Sequence, residues 1–290
     1  MSISSTLWSN DVMKVAAIQM TSGFDVDANL ARAAALLTDA ARAGAGVVVL
    51  PENFAFMGRA DADKREVAEP YADGRIQQKL AALAREKKIW IVAGTIALRG
   101  SGDGRVAAAS LVFDDAGKIV ARYDKIHLFD VDIPGRNESY RESAHVAPGV
   151  SPQLIDTPAG RLGLAVCYDV RFPELFRMLS ERGAEWFVLP SAFTAPTGRA
   201  HWETLLRARA IENLCFMVAP AQSGFHANNR ETYGDTMIVD YWGRVLSRLP
   251  RGEGYVLAEL DRAAQAKARE SFPALGHRRL GAATVLAPTT

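Results

Sequence analysis

The sequence predicts an α/β protein built as a four-layer α-β-β-α sandwich, in which two mixed sheets lie face to face and helices cover their outer faces. Two short, fully apolar segments, VVVL at 47–50 and WFVLP at 186–190, are typical of strands that are covered on both faces. The order strand, helix, strand occurs in both halves of the 290-residue chain, as in βαβ units. Because no linker-like segment separates the halves, we expect one domain at 13–285, preceded by a loose lead-in at 1–12.

Apolar periodicity and turn residues define the predicted elements of the first half. A strand at 15–20 precedes a helix at 30–42, which is rich in alanine and leucine and which Asp27 or Asn29 can cap. The pattern then predicts, in order, strand 47–50, helix 71–88, strand 89–96 and a hairpin of strands 106–113 and 118–123.

The second half repeats this organisation after a long polar loop that reaches about residue 150. Strands 154–156 and 161–166 are predicted to pair through a turn at 158–160, and a helix begins at Pro173, because proline fits the first turn of a helix. The remaining predicted elements are strand 186–190, loop 191–197, helix 200–213, strand 215–220, hairpin 236–240 with 244–249, strand 254–260 and helix 262–269.

Composition and charge exclude several classes of protein. The chain is 49% hydrophobic and 23% charged, which is typical of a globular protein, and its net charge of +1 gives no reason to expect a nucleic acid or membrane partner. Two cysteines cannot form a disulfide framework, and the first residues lack the pattern of a secretory signal. No apolar run is long enough to span a membrane. We therefore expect a cytoplasmic protein.

Cys167 follows a predicted strand directly and precedes the helix that begins at Pro173. Open α/β sheets bind their ligands at the carboxyl ends of their strands, so this position suits a reactive group. The nearby helix amino end is expected to favour the thiolate over the thiol. The alternative interpretation is a small apolar core residue, which is the commoner fate of a free cysteine.

Glu52 and Lys125 occupy comparable positions after predicted strands. A cysteine nucleophile needs a base, and Glu52 can take its proton and later return it to a leaving amine. Lys125 can place its charge where a tetrahedral oxyanion forms, with the backbone N–H of Tyr168 as a second donor. Considered alone, Glu52 is equally well explained as a structural or solvated carboxylate. Lys125, considered alone, is equally well explained as a surface lysine.

Three motifs, PENF, YDKIHLFD and CYDVRFPEL, resemble those of the nitrilase (carbon–nitrogen hydrolase) superfamily. The resemblance implies the α-β-β-α sandwich, a homodimer or higher homo-oligomer, and a triad of Glu52 as general base, Lys125 as oxyanion lysine and Cys167 as nucleophile. It also implies that Glu142 is the second glutamate of the family, which positions the lysine and the substrate amide. The residues alone would indicate a solvated loop carboxylate at Glu142.

The segments SAFTAPTGRAHWETLLRARAIEN and YGDTMIVDYWGRV are similar to the branch of that superfamily that hydrolyses deaminated glutathione. The ω-amidase branch, which acts on 2-oxoglutaramate or 2-oxosuccinamate, is its neighbour. Phe193 and Thr194 match shared positions and are predicted to bind substrate. Three positions, Asp235, Thr236 and Tyr241, depart from the expected pattern; they leave the triad unchanged but bear on the substrate.

Two further residues are predicted to contact substrate. Arg171 lies one helical turn after the cysteine and can pair with a carboxylate, or it packs against the helix end. His127 shares a strand face with Lys125 and supports the site or makes a structural hydrogen bond. The five histidines lack metal-ligand spacing and no phosphate-binding glycine motif occurs, so no metal or cofactor is expected.

The sequence therefore predicts a cofactor-free cysteine amidase that forms a thioester intermediate on a small-molecule amide. Nitrile and carbamoyl hydrolysis are alternatives within the same superfamily. Two alternatives come from other classes of protein: a redox thiol protein that uses Cys167 alone, and a non-catalytic binding module.

Overall fold

The computed structural model describes residues 11–100, 102–134 and 138–279. Its helices are α1 Val26–Arg42, α2 Arg75–Lys87, α3 Pro173–Glu181, α4 Ala195–Asn213 and α5 Arg262–Ser271. Its strands are β1 Val12–Gln19, β2 Val47–Val49, β3 Trp90–Val92, β4 Ile96–Arg99, β5 Val106–Phe113, β6 Ile119–Asp124, β7 Asp130–Asp132, β8 Ser139–Arg141, β9 Leu154–Thr157, β10 Gly160–Leu164, β11 Trp186–Val188, β12 Phe216–Ala219, β13 Ser223–Phe225, β14 Glu231–Tyr233, β15 Thr236–Val239, β16 Val245–Leu249 and β17 Gly254–Asp261.

The two large sheets are both mixed and are built alike. The first has the order β17-β1-β2-β3-β5-β4, with β6 paired to β5, and the second has the order β16-β15-β12-β11-β10-β9. Three parallel strands lie inside each sheet, β1 to β3 in the first and β10 to β12 in the second. Antiparallel strands flank them on both sides. The repeated strand-helix-strand order of the sequence is thus realised as two sheets of related topology.

Successive side chains of a strand point to opposite faces of the sheet, so each sheet packs against the other sheet on one face and against helices on the other. Val15 and Ala17 of β1 join the core between the sheets, whereas Ala16 and Ile18 face α1 and α2. On the outer face of the second sheet, Phe176 of α3 packs edge-on against Phe187 of β11 with ring centroids 5.1 Å apart. The predicted α-β-β-α sandwich is confirmed.

Several element boundaries differ from the sequence prediction. Helix α1 begins at Val26 because the side chain of Asp25, rather than Asp27 or Asn29, accepts the N–H of Ala28. Helix α4 begins at Ala195, so part of the predicted loop 191–197 is helical, with a proline in the first turn. Short strands β7, β8, β13 and β14 were not predicted, because three-residue strands leave no detectable period.

Within the described residues, no helix is both long and apolar enough to cross a membrane. Residues 1–10 of the predicted lead-in, and the last residues of the predicted domain, lie outside the described residues. Val12 already belongs to β1, so that strand begins three residues before its predicted start. The domain bounds 13–285 remain a prediction.

Candidate active site

Glu52 lies in the turn that follows β2, at the carboxyl end of a central strand. The next residue, Asn53, has a left-handed backbone with φ of 56°, and its N–H donates to Oγ1 of Thr95 at 2.9 Å. Gly94 lets a second loop pass beneath this turn, since a Cβ at that position would meet the carbonyl oxygen of Pro51. The turn therefore holds the Glu52 carboxylate in a fixed position.

Lys125 follows β6 and is almost fully buried, at 2% exposure. Its Nζ donates to Oε1 of Glu52 at 2.8 Å and to Oε2 and Oε1 of Glu142 at 2.9 and 3.1 Å. Gly149 donates its N–H to the carbonyl oxygen of Lys125, and a side chain there would collide with Asp124. The buried ammonium is thus shared between two carboxylates.

Glu142 begins a short 3-10 helix, Glu142–Ala144, in the long loop. Its Oε2 also accepts the backbone N–H of Phe129 at 2.7 Å. Because the carboxylate is buried and receives donors from the lysine and from the backbone, its orientation is fixed. Glu142 is therefore not the solvated loop residue that its local sequence indicates.

Cys167 follows β10 and is buried at 7% exposure. Its backbone is left-handed, with φ of 48°, and its N–H donates to the carbonyl oxygen of Pro190 at 3.0 Å. Non-glycine residues rarely adopt this conformation, and where they do it is often at a functional site. A 3-10 helix, Cys167–Arg171, separates the cysteine from α3, so the cysteine does not sit directly at the amino end of that helix.

The charges around the sulfur set its protonation state. Burial and the adjacent Glu52 carboxylate raise the pKa of the Cys167 thiol, and Lys125 offsets only part of that rise. Burial alone would raise the pKa of Glu52, but Lys125 holds it below its ordinary value; Glu142 and Glu52 in turn raise the pKa of Lys125 against the effect of burial. Burial and Glu52 therefore favour the thiol of Cys167, against the effect that the helix amino end is expected to have.

These groups meet in a cleft that opens to solvent. The sulfur is therefore not enclosed in apolar packing. Tyr168, predicted to support the oxyanion, and Phe193 and Thr194, predicted to bind substrate, also line the cleft. Tyr168 lies in the first turn of the 3-10 helix, where a backbone N–H has no acceptor within the helix.

The comparison with known proteins agrees with this geometry. The family model described as carbon-nitrogen hydrolase matches residues 14–270. The chain belongs to the carbon–nitrogen hydrolase family. The resemblance to the nitrilase superfamily is thereby confirmed, and the protein is a hydrolase that acts on carbon–nitrogen bonds other than peptide bonds.

The similarity of this carbon–nitrogen hydrolase to individual relatives covers most of its length. Deaminated glutathione amidase of Yersinia enterocolitica is 42% identical over 91% of this chain and 92% of its own. The human protein of the same name is 42% identical over 96% of this chain and 85% of its own. The crystal structure of Saccharomyces cerevisiae Nit3, a member of branch 10 of the nitrilase superfamily, superposes with a TM-score of 0.84 at 31% identity, covering 94% of this chain and all of that one.

Two residues predicted to contact substrate lie outside the cleft lining of this hydrolase. Nδ1 of His127 lies 2.7 Å from Oδ1 of Asp169, and its ring stacks on Phe172, so its contacts are structural. The guanidinium of Arg171 lies over the rings of Tyr168 and Phe193, with centroid distances of 5.7 and 5.4 Å. Arg171 thus packs behind two aromatic rings that line the cleft.

Sequence reasoning missed other residues that line the cleft. Asp61 and Lys64 come from the 3-10 helix Asp61–Arg65, Tyr140 comes from β8, and Arg230 comes from the loop between β13 and β14. No local pattern distinguishes Arg230 from the other arginines of the sequence. Among the described residues, no group of three histidine, cysteine or acidic side chains is placed to hold a metal ion.

The departures from the branch pattern do not reach the cleft lining. The buried carboxylate of Asp235 pairs with Arg248, whose Nε and Nη2 lie 2.5 and 2.7 Å from its two oxygens. Thr236 donates its N–H to Gln19 and accepts from the N–H of Ala221. The ring of Tyr241 packs edge-on against Phe216 on the second sheet. The acid at 235 is therefore a structural ion-pair partner.

Asp169, which sequence reasoning did not single out, joins the segment that carries the lysine to the segment that carries the cysteine. Its Oδ2 accepts the hydroxyl of Tyr123 and the N–H of Val166, each at 2.7 Å. Its Oδ1 accepts the backbone N–H of His127 at 3.1 Å and faces the ring nitrogen of the same residue. Burial and the adjacent carboxylate raise the pKa of Tyr123, so its hydroxyl remains a donor. Asp169 is thus a positioning residue.

Replacing Asp169 with asparagine is expected to lower kcat by about 10- to 100-fold with little change in KM, because a small displacement of reacting groups reduces the rate strongly. The amide cannot accept all of these donors, so the free energy of unfolding should fall by about 1–3 kcal/mol. Asp156→Asn, at an exposed position of β9, serves as the control. Steady-state kinetics and urea unfolding measure both effects; lost stability with unchanged kcat would contradict a positioning role.

Proposed function

We propose that this hydrolase is a cysteine amidase whose nucleophile is Cys167, whose general base is Glu52 and whose oxyanion is stabilised by Lys125 and the Tyr168 N–H. The observation that carries the proposal is the convergence of a thiol, a carboxylate and an ammonium at the bottom of one cleft. These groups are far apart in the sequence, and burying them together is unfavourable unless they are paired. Their arrangement suits acyl transfer.

In the acylation step, the Cys167 sulfur attacks the amide carbonyl while its proton passes to Glu52. The raised pKa of the thiol makes this transfer necessary, and the lowered pKa of Glu52 keeps the carboxylate available as acceptor. Lys125 and the Tyr168 N–H receive the developing oxyanion. When the tetrahedral intermediate collapses, Glu52 returns the proton to the leaving amine and a thioester remains on the sulfur.

In the deacylation step, Glu52 accepts a proton from water, which attacks the thioester carbonyl and releases the acid and the free thiol. Glu142 holds the Lys125 ammonium throughout the cycle, because both of its carboxylate oxygens accept hydrogen bonds from Nζ. The cycle uses each group twice and begins and ends with the same charges. It needs no metal or cofactor to balance protons or electrons.

The substrate that we propose is deaminated glutathione, which would yield 2-oxoglutarate and cysteinylglycine. Support comes from relatives of that name in Yersinia enterocolitica and Homo sapiens, each 42% identical over more than nine-tenths of this chain. A second, larger and more open cavity adjoins the cleft and shares Asp61, Tyr140 and Arg230 with it. A leaving group longer than ammonia would extend in that direction.

We further propose a cytoplasmic location and a homodimer or higher homo-oligomer. Support for the oligomer comes from exposed apolar side chains, which often mark protein–protein interfaces. They are Met178 of α3, Ile211 of α4 and Trp242, whose neighbour Gly243 lies close to Ile211. Neither nucleic acid nor membrane is proposed as a partner, since the net charge is +1.

A side-by-side assay of deaminated glutathione and 2-oxoglutaramate tests the substrate. We expect a higher kcat/KM for deaminated glutathione, measured by release of 2-oxoglutarate from both. A comparable or higher value for the shorter amide would instead assign the protein to ω-amidase activity. Turnover of either amide excludes a non-catalytic binding module, and a redox thiol protein would hydrolyse neither.

A further inference from the structure

Arg230, in the loop between β13 and β14, lines the cleft with an unusual set of contacts. Its Nη2 donates to the carbonyl oxygen of Ala192 at 2.5 Å, and its guanidinium lies over the ring of Tyr140, 5.1 Å from the centroid. Its Nε is buried and has no hydrogen-bond partner in the part of the chain that the structure describes. A buried donor without an acceptor is unfavourable, so this group is suited to a ligand.

The other cations of the cleft are already neutralised. Lys125 is held between Glu52 and Glu142, and Nζ of Lys64 lies 3.3 Å from Oδ1 of Asp61. Arg230, in contrast, forms no ion pair with a carboxylate of the described residues, although, after Lys64, its charge helps to lower the pKa of Asp61; it contacts the carbonyl oxygen of Ala192 and the ring of Tyr140. The cleft therefore offers, at Arg230, a guanidinium that an anionic group of a substrate can pair with.

Arg230 also lies at the boundary between the catalytic cleft and the larger adjoining cavity, because it lines both. The residue it holds, Ala192, donates its own N–H to Oε2 of Glu52 at 2.8 Å. The guanidinium is thus fixed relative to the general base, but it does not contact the sulfur or the base itself. A group that binds Arg230 therefore belongs to a part of the substrate away from the scissile carbonyl.

We propose that Arg230 is a specificity-determining residue whose guanidinium binds a carboxylate of the substrate. This inference rests on the proposed amidase function and adds that the site prefers substrates with a carboxylate. Arginine presents parallel N–H donors that match the two oxygens of a carboxylate, which a lysine cannot do. Deaminated glutathione has two such carboxylates, one on the 2-oxo acid and one on the glycine.

The test compares Arg230→Met with Arg199→Met, which removes an exposed arginine of α4 outside the cleft lining. The substrates are deaminated glutathione, its analogue with the glycine carboxylate converted to a primary amide, 2-oxoglutaramate, and pentanamide as an uncharged amide. Arg230→Met should lower kcat/KM for deaminated glutathione by roughly 10- to 150-fold, the range for a hydrogen bond to a charged group. The loss should be much smaller for pentanamide, which carries no carboxylate, and Arg230→Lys should recover part of the loss on deaminated glutathione.

The substrate set identifies which carboxylate is bound. A loss that persists with the amidated analogue and 2-oxoglutaramate assigns Arg230 to the 2-oxo acid, and a loss that disappears with both assigns it to the glycine. An equal loss on every substrate, pentanamide included, would overturn the proposal, because it indicates that Arg230 only supports Ala192 and Glu52. No loss on deaminated glutathione would overturn it as well.

A second measurement does not depend on turnover. Cys167 is treated with iodoacetamide, and 2-oxoglutarate and S-methylcysteinylglycine, which has no free thiol to consume the reagent, are each tested as protecting ligands by mass spectrometry of the Cys167 peptide. At least one of them should need a roughly 10-fold or higher concentration to protect Arg230→Met, with Arg199→Met unaffected; unchanged protection by both contradicts the proposal. If the unmodified protein hydrolyses no amide, the proposed function fails, whereas normal hydrolysis with unchanged selectivity in Arg230→Met rejects this inference alone.

Discussion

Replacing Cys167 with serine is expected to lower kcat/KM for the preferred amide by at least about 10⁴-fold, the scale on which removal of a nucleophile acts in covalent catalysis. The hydroxyl is a weaker nucleophile than the sulfur, and Glu52 must remove a proton that is held more tightly. The backbone bond from residue 167 to Pro190 remains, so the fold should be unchanged. Steady-state kinetics with circular dichroism measures both expectations.

Cys215→Ser provides the matched control for this variant. Cys215 is buried in the core, where its Sγ lies 3.2 Å from the carbonyl oxygen of Ala184, and it does not line the cleft. Its replacement should leave the rate within about twofold. Intact-protein mass spectrometry of unmodified protein quenched during turnover should detect an acyl adduct that Cys167→Ser lacks. A wild-type rate in Cys167→Ser would remove this residue from the mechanism.

Replacing Lys125 with methionine is expected to lower kcat by about 10³-fold or more, because the oxyanion loses a charged donor and Glu52 loses the partner that fixes it. The same change leaves two buried carboxylates facing each other. We therefore expect the free energy of unfolding to fall by about 3–5 kcal/mol, as when one partner of a buried ion pair is removed. Urea unfolding and steady-state kinetics measure the two losses separately.

The destabilisation of Lys125→Met should depend on pH. Without the ammonium, burial raises the pKa of Glu52 above its ordinary value of 4.5, so the folded state retains a proton that the unfolded state releases. The loss of stability should therefore be small near that pH and grow as the pH rises. Lys79→Met, at an exposed position of α2, is the control.

The double variant Lys125→Met with Glu142→Gln separates the two roles of the lysine. A neutral amide in place of one carboxylate should restore much of the stability but none of the rate. Recovery of the rate together with the stability would mean that the lysine acts only as a structural counter-charge.

The sequence could predict those parts of the fold that produce a local pattern of apolar residues and turn residues. Strands β2 and β11 are recognisable because three consecutive apolar residues are followed at once by a turn. The hairpin of β5 and β6 follows from alternating strands around an aspartate–glycine turn. The three candidate catalytic residues could be singled out in the same way, since each lies after a recognisable strand, whereas their roles were predicted with the help of the resemblance to the family motifs.

Contacts between distant loops could not be predicted from local sequence. Arg230 reaches the cleft only because the β13–β14 loop packs against Ala192, and nothing near it in sequence indicates this contact. Asp235 shows the converse, since its neutralising partner, Arg248, lies across a hairpin and becomes a neighbour only when β15 and β16 pair. A charge is interpretable only when its partner is known.

The surroundings of Cys167 could not be predicted for a related physical reason. Local sequence places the sulfur near a helix amino end, which favours the thiolate. In the structure, burial and the Glu52 carboxylate favour the thiol, and Lys125 opposes them. Neither the burial of the sulfur nor the position of Glu52 can be read from the residues next to Cys167.

The pairing of β17 with β1 has a consequence for biosynthesis. β17 forms the edge of the first sheet along the whole of β1, from Gly254 opposite Gln19 to Asp261 opposite Val12. The ribosome delivers β1 long before β17, so the nascent sheet bears an open row of N–H and C=O groups through most of translation. Such an edge can accept a strand from another chain. A polypeptide that ends before residue 254 would lack β17, so the edge of β1 would stay unpaired. We therefore expect such a truncated chain to aggregate through strand addition more readily than the full-length chain.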